Sequence, residues 1–206
     1  MAQIEFIYFD LGNVLVSFDH SRAFKQIAEL TGISPARAEQ ILFGGGLQIQ
    51  YEKGEITTTE FHHHFCEQAR VEISIDDLCF AASDIFEPLD DSIQLLQVLN
   101  KAGHRLGLLS NTCDCHWRFI MSDDRFSFLH SCFELTILSF IEGFSKPGAD
   151  IYRIATNRAN CDPGSILFID DLQENVEAAQ SIGIDGINFR GFSALLDELT
   201  KRGVLH

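Results

Sequence analysis

Short apolar runs alternate with longer amphipathic stretches along most of the chain. The first run, IEFIYF at residues 4–9, is nearly continuous and rich in Ile and aromatic residues, which is typical of a strand buried on both faces. Similar runs recur at Leu106–Leu109, Phe133–Leu138, Ile166–Ile169 and Ile184–Phe189. Helical patterns fill the intervals, at Ser92–Ala102, Asp114–Met121, Ala149–Ala159, Leu172–Ile182 and Ser193–Arg202. Strands that alternate with helices of about 10–15 residues predict an α/β fold, with a Rossmann-like parallel sheet covered by helices on both faces.

Residues 16–86 carry a different pattern, in which helix signals follow one another without an intervening strand. Four helix starts are indicated by Ser21, by Ser34-Pro35, by Thr57 with Glu60 at capping-box spacing, and by Ser74. We therefore expect residues 16–86 to form an inserted helical cap of four short helices. Residues 1–15 and 87–206 are expected to form the α/β core domain, so that two chain crossings connect the cap to it and allow it to hinge.

Composition and charge narrow the range of partners and compartments. The chain has 206 residues, 46% of them hydrophobic, and a formal net charge of −15 from 15 Lys and Arg against 30 Asp and Glu. Such a charge disfavours a nucleic-acid partner, because phosphate backbones are bound by clustered Lys and Arg. The first ten residues lack the cationic start of a secretory signal, and the most apolar window, 126–144, is interrupted by charged residues. The six cysteines are scattered through apolar runs. We expect a cytoplasmic protein, monomer or homodimer, with no disulfides and no membrane partner.

Polar residues stand where several of the apolar runs end. Asp10, Ser110-Asn111 and Asp170-Asp171 each follow a predicted strand, and Lys146 lies in the turn FSKPG. Because parallel sheets bind ligands beyond the carboxyl ends of their strands, we expect these side chains to share one site. Such an oxygen site suits Mg²⁺, which takes one or two carboxylates together with waters and phosphate oxygens as ligands. Ser110 and the amide of Asn111 can donate to a phosphoryl oxygen and Lys146 supplies positive charge, so the set predicts phosphoryl transfer.

At this point the sequence resembles the haloacid dehalogenase superfamily. FDLGNVL at 9–15 is similar to its nucleophile loop, LLSNT at 108–112 to its second motif, SKPGADIY at 145–152 to its third, and LFIDDLQENVEAA at 167–179 to its acidic fourth. The order and spacing of all four agree with the superfamily, and residues 16–86 match the helical cap that many members insert after the first motif. YEKGEITTTEF at 51–61 further resembles the cap of bacterial sugar-phosphate phosphatases in this group.

The resemblance implies a role for each matching residue. Asp10 would attack phosphorus and form an aspartyl-phosphate, with Ser110 and Lys146 as its catalytic partners. Leu11, Gly12, Ser110, Asn111 and Lys146 would bind the substrate, a small phosphorylated metabolite that the cap match suggests is a sugar phosphate. Mg²⁺ would be held by the Asp10 carboxylate, the Gly12 carbonyl and Asp171, with Asp170 bound directly or through water.

One position departs from the superfamily pattern. Most of its phosphatases carry a second aspartate two residues after the nucleophile, which protonates the leaving oxygen, and here that position is Gly12. Positioned proton transfer is worth about 10²–10⁴-fold in rate. Three explanations stay open: a slower phosphatase that uses water, Asp19, His20 or a cap histidine; a metal-free dehalogenase, whose leaving group needs no proton; or a phosphate-binding module. The Asp170-Asp171 pair favours the phosphatase, since haloacid dehalogenases lack it.

Overall fold

The computed structural model describes residues 3–205, which contain seven strands and twelve α-helices. The strands are β1 (Phe6–Phe9), β2 (Val16–Phe18), β3 (Phe86–Pro88), β4 (Arg105–Ser110), β5 (Leu135–Leu138), β6 (Ile166–Asp170) and β7 (Asp185–Asn188). The helices are α1 (His20–Thr31), α2 (Pro35–Phe43), α3 (Leu47–Glu52), α4 (Thr58–Ala69), α5 (Ile75–Ser83), α6 (Asp90–Lys101), α7 (Asp114–Ser122), α8 (Phe128–Cys132), α9 (Ser139–Glu142), α10 (Ala149–Ala159), α11 (Gln173–Ser181) and α12 (Phe192–Lys201). In this part of the chain no helix has both the length and the apolar character needed to cross a bilayer.

Five of the strands form a parallel sheet in the order β5-β4-β1-β6-β7. β1 lies at its centre, where Phe9 is in register with Leu108 of β4 and with Ile169 of β6. The carboxyl ends of the three middle strands therefore meet at one edge, which brings Asp10, Ser110 and Asp170 to the same place. The predicted α/β fold with a Rossmann-like parallel sheet is confirmed.

The sheet is buried on both faces, as the continuous apolar run of β1 predicts. Ile7 and Phe9 point into one hydrophobic cluster, while Phe6 and Tyr8 point into another that includes Tyr152 of α10. This division follows from the two-residue period of a strand. The buried Tyr8 hydroxyl, the one polar side-chain group of β1, has a hydrogen-bond partner, because it donates to the carbonyl of Ala155 over 2.9 Å.

Helices α1 to α5 lie between β2 and β3, which pair with each other as a short antiparallel ribbon. The predicted caps at Ser34, Thr57 and Ser74 each accept a backbone N–H, and α1 is capped by Asp19 rather than by Ser21. The expectation of four helices is wrong, because α3 makes a fifth. It begins at Gly46, which has no side chain to cap it, so no start signal is present in the sequence. We propose residues 16–86 as the extent of the cap.

A disulfide joins Cys79 of α5 to Cys115 of α7, with Cα atoms 5.3 Å apart. The expectation of no disulfides is therefore wrong. The two cysteines are 36 residues apart in sequence, and only the packing of α5 against α7 brings them together. The four other cysteines, at positions 66, 113, 132 and 161, are free thiols.

Candidate active site

Lys146 lies at the centre of the candidate site. Its Nζ is 2.7 Å from Asp10 Oδ1, 2.7 Å from Asp170 Oδ2, and donates to the carbonyl of Leu109 over 3.0 Å. The side chain is only 1% exposed. A buried ammonium needs paired charge and hydrogen-bond acceptors, and here both strand-end carboxylates and a strand carbonyl supply them. Lys146 thus fixes the spacing between the ends of β1, β4 and β6.

Asp10 is the first residue beyond β1. Its backbone N–H donates to the carbonyl of Ile169, which continues the sheet pairing by one residue, and its Oδ1 accepts the N–H of Leu11 over 2.7 Å. Burial raises the pKa of the Asp10 carboxyl, and the Lys146 ammonium partly opposes this rise. Within residues 3–205 no donor bonds Asp10 Oδ2, which leaves that oxygen available to a ligand.

Asp170 ends β6 and is completely buried. Its Oδ1 accepts the N–H of Leu172 over 2.8 Å, and the side-chain amide of Asn175 lies 2.9 and 3.1 Å from its two oxygens. Together with Lys146, these donors satisfy both oxygens of the carboxylate. Asp170 therefore positions Lys146 and has less capacity to bind a metal directly than its neighbour Asp171.

Carboxylate oxygens of Asp10, Asp170 and Asp171 lie within 4.8 Å of one another. Three carboxylates balanced by one ammonium leave an excess of negative charge, and hard oxygen ligands in this number suit Mg²⁺. Among the described residues the Gly12 carbonyl oxygen accepts no hydrogen bond, so it too is available as a ligand. These observations fit a magnesium ion held by Asp10, Asp171 and Gly12, with Asp170 beside it.

Ser110 ends β4 and Asn111 follows it, and the two side chains make different contacts. Ser110 is buried at the end of the strand, and its hydroxyl makes only a long contact of 3.4 Å with the Asn111 carbonyl. The side-chain amide of Asn111 donates to the Lys146 carbonyl and accepts the Lys146 N–H, both over 2.9 Å. Asn111 therefore holds the backbone of Lys146 against β4. A contact between an Asn111 amide and a phosphoryl oxygen stays a prediction.

A cavity of about 80 Å³ opens over this edge of the sheet. Its walls come from the core and from the cap: Leu11, Gly12, Phe18, His20, Glu52, Phe86, Ser110, Asn111, Thr112 and His116. This volume is smaller than that of pockets for drug-sized ligands, which are usually about 300–1,000 Å³. Ser110, Asn111 and Thr112 contribute polar groups from the end of β4, and His20, Glu52 and His116 contribute polar groups from helices, while Phe18 and Phe86 supply apolar walls.

The candidate proton donors named from the sequence differ in position. His20 lines the cavity, and burial lowers the pKa of its imidazole. Asp19 is exposed, and its carboxylate accepts the N–H of Ser21 as the cap of α1. The cap histidines 62–64 are not among the residues that line the cavity.

Three residues of the site were missed by sequence reasoning: Asn13, Asn175 and Glu52. Asn13 and Asn175 lie inside the first and fourth motifs and donate to Asp171 and Asp170 respectively. The available signal was that Asn13 lies three residues after Asp10 and Asn175 five residues after Asp170. Glu52 is part of the YEKG segment, but its proximity to the sheet edge depends on how the cap packs.

A family model described as haloacid dehalogenase-like hydrolase matches residues 4–183. The chain belongs to this family of hydrolases. The family resemblance seen in the four motifs is thereby confirmed, and the match covers both the sheet edge and the inserted helices.

This haloacid dehalogenase-like hydrolase has curated relatives of differing length. It is 26% identical to acyl-CoA dehydrogenase family member 10 of Mus musculus over 88% of the chain, and spans only 17% of that protein. It is 27% identical to flavin mononucleotide hydrolase 1 of Arabidopsis thaliana, over 76% of the chain and 62% of that protein. It is 26% identical to D-ribitol-5-phosphate phosphatase of Bacteroides thetaiotaomicron, over 88% of the chain and 90% of that protein.

A solved structure resembles this hydrolase over almost its whole length. A haloacid dehalogenase family enzyme of Bacteroides thetaiotaomicron, crystallised with magnesium and inorganic phosphate, aligns with a TM-score of 0.82 and 28% identity. The alignment covers 93% of this chain and 98% of that one. The similarity therefore includes the cap as well as the sheet.

Proposed function

We propose that this hydrolase is a Mg²⁺-dependent phosphatase that cleaves a small phosphate monoester through an aspartyl-phosphate on Asp10. The observation that carries the proposal is that carboxylate oxygens of Asp10, Asp170 and Asp171 lie within 4.8 Å of one another, with the first two paired to the ammonium of Lys146. The D-ribitol-5-phosphate phosphatase and the enzyme crystallised with magnesium and phosphate support it. The small cavity favours a compact alcohol, such as a sugar or polyol, over a bulky one.

Asp10 is suited to the role of nucleophile. Its Oδ1 is held by Leu11 and Lys146, so that Oδ2 can attack phosphorus while the carboxylate keeps one orientation. A carboxylate nucleophile divides one difficult displacement into two easier ones, since water later cleaves the acyl phosphate. Ser110 at the end of β4 can donate to a phosphoryl oxygen.

Lys146 neutralises charge where a dianionic phosphate would meet carboxylates. A protein of net charge −15 repels anions at long range, so attraction must be local. Bound at Asp10, Asp171 and the Gly12 carbonyl, Mg²⁺ would supply further positive charge to the transferring group. Asp170 would keep the ammonium in place because it bonds Lys146 Nζ, and Asn111 would hold the backbone of the same residue.

The proposal is tested by measuring phosphate release from a panel of phosphate monoesters, either with MgCl₂ or with excess EDTA. We expect turnover of sugar and polyol phosphates with Mg²⁺, none with EDTA, and recovery on adding Mg²⁺ back. Asp10→Asn should lower turnover by at least about 10³-fold while leaving the fold intact. Metal-independent turnover of 2-haloacids, or binding of phosphate without hydrolysis of any ester, would overturn it.

A further inference from the structure

The site lacks a proton donor at the position where the superfamily pattern has one. Position 12 is glycine, and a Cβ added there would lie 2.9 Å from Cε1 of the Phe18 ring. The ring therefore occupies the space into which an aspartate side chain would extend. An alkoxide leaving group is a strong base, so cleavage of a sugar or polyol phosphate needs an acid from elsewhere in the cavity.

Three titratable side chains line the cavity: His20, Glu52 and His116. Burial lowers the pKa of His116 to about 4, and its ring packs edge-on against Phe86. Burial likewise lowers the pKa of His20, whose ring contacts Phe18 and Phe43. Both imidazoles are thus neutral near pH 7, and a neutral imidazole is a very weak acid. Glu52 is the remaining candidate.

Glu52 is the last residue of α3, and its backbone is tied directly to the sheet edge. The buried Ser139 hydroxyl, just beyond β5, donates to the Glu52 carbonyl over 2.5 Å and accepts the N–H of Thr112 over 3.0 Å. Thr112 follows Ser110 and Asn111 in the loop after β4. One side chain therefore holds Glu52 beside the loop that carries the candidate phosphate donors.

Gly54 explains why this part of the cap approaches the sheet so closely. Its φ is +68°, and a Cβ there would overlap the backbone carbonyl of Phe140 in α9. Only glycine combines that conformation with that contact. Gly54 thus allows the end of α3 to lie against α9, and Glu52 is only two residues before it.

The environment of the Glu52 carboxyl favours its protonated form. It is partly buried, and burial raises its pKa, with a hydrogen bond from Gln48 to Oε1 opposing the rise. Within residues 3–205 that amide is its one side-chain partner, and no cationic side chain bonds it. Its second oxygen, Oε2, makes no hydrogen bond within the described residues, so a proton carried there would be available to a group in the cavity that Glu52 lines.

We propose that Glu52, carried by the cap, is the general acid that protonates the leaving oxygen, in place of the aspartate absent at position 12. The inference rests on the proposed phosphatase function. As Asp10 Oδ2 bonds to phosphorus and the ester P–O bond breaks, the leaving oxygen takes the proton of Glu52, giving alcohol, aspartyl-phosphate and a Glu52 carboxylate. Water then attacks phosphorus and gives its proton to Glu52, which releases phosphate and restores both carboxyl groups.

The test compares leaving groups in the Glu52→Gln variant, which keeps the side-chain size and the contact with Gln48. kcat/KM reports the steps up to alcohol release, so it isolates protonation of the leaving oxygen. For 4-nitrophenyl phosphate, whose phenolate leaves without a proton, we expect a change of less than about 3-fold. For ribitol 5-phosphate and other alkyl phosphates of the panel we expect a loss of about 10²–10⁴-fold.

The matched control is Glu55→Gln, which removes an exposed carboxylate from the same turn and should change neither value. An equal loss with aryl and alkyl esters would assign Glu52 a purely structural role, and no loss with either would remove it from the reaction. Both results overturn the inference while wild-type activity with Mg²⁺ leaves the proposed function standing. A wild-type protein that hydrolyses none of the esters would instead contradict the proposed function itself.

Discussion

The side-chain amide of Asn13 donates to Oδ2 of Asp171 over 3.0 Å, across 158 residues of sequence. Asn13 has a φ of +54°, a left-handed conformation that asparagine tolerates better than most residues. The tight turn after Asp10 therefore directs an amide toward the proposed metal ligand of the fourth motif. Asn188 holds the backbone carbonyl of the same aspartate over 2.9 Å.

We predict that Asn13→Gly weakens Mg²⁺ binding by about 10- to 100-fold, because groups that orient metal ligands typically contribute that much. Glycine removes the amide without straining the left-handed backbone. The measurement is the Mg²⁺ concentration that gives half-maximal activity, together with the Mg²⁺ dependence of the melting temperature. Identical Mg²⁺ titrations for wild type and variant would show that the amide does not orient Asp171.

Replacing Lys146 with methionine should destabilise the fold as well as abolish activity. The change leaves Asp10 and Asp170 buried next to each other without their shared ammonium, and breaking a buried pair costs about 3–5 kcal/mol. Denaturant unfolding in EDTA measures the free energy of unfolding. In the double variant with Asp170→Asn the cost should be less than the sum of the two single changes, because one of the repelling charges is gone.

The control for that prediction is Lys53→Met. The Lys53 side chain is 42% exposed, and its only ion pair within the described chain is a 4.0 Å contact with Glu55. The Lys53→Met substitution should therefore change the free energy of unfolding by less than about 0.5 kcal/mol. Equal effects of the two lysine substitutions would contradict the assignment of Lys146 as the structural centre of the site.

His116 makes stability depend on pH. Burial lowers its pKa to about 4 from an ordinary value of 6.5, so the unfolded chain takes up a proton in this interval and the folded protein does not. The stability from this residue is therefore fully present above pH 6.5 and is lost as the pH falls toward 4, by about 3 kcal/mol in total. Between pH 7 and pH 4, the free energy of unfolding measured in urea should fall by about 3 kcal/mol less in His116→Gln than in the wild type. His63→Gln, an exposed position in α4, should keep the wild-type slope.

The packing of Phe18 against Gly12 predicts the outcome of restoring an aspartate at position 12. Gly12→Asp should lower the free energy of unfolding by about 1–3 kcal/mol, because the new Cβ displaces the Phe18 ring. Combining it with Phe18→Leu should recover most of that loss, whereas Phe18→Leu alone should be destabilising. Thermal unfolding of the four proteins checks this, and a stable Gly12→Asp single variant would show that the ring moves aside freely.

The sheet could be predicted from sequence because its strands are buried on both faces and so appear as uninterrupted apolar runs. The elements that were missed are short: β2 and β3 have three residues each, and α3 has six and no capping side chain. The run predicted as a strand from Phe133 begins instead at Leu135, after α8. Periodicity needs more residues than these elements contain.

The strand-end residues of the site were also predictable, since a parallel sheet collects them at one edge. The hydrogen-bond partners of these side chains could not be predicted. The two bonds between the Asn111 side chain and the backbone of Lys146 are one example. Asn175 supports Asp170, and Glu52 reaches the cavity only because Ser139 and Gly54 bring α3 to the sheet. These contacts depend on side-chain direction and on cap placement, which spacing along the chain does not encode.

The Ser139 hydroxyl has a mechanical consequence. Ser139 donates to the Glu52 carbonyl of α3 and accepts the N–H of Thr112 in the loop after β4, so α3 cannot move away from the sheet without breaking the bond to Glu52. Tyr51, the neighbour of Glu52 in α3, adds a second connection, because its hydroxyl accepts the N–H of Cys115 at the start of α7 over 3.0 Å. A displacement of α3 is therefore transmitted directly to the residues that follow β4.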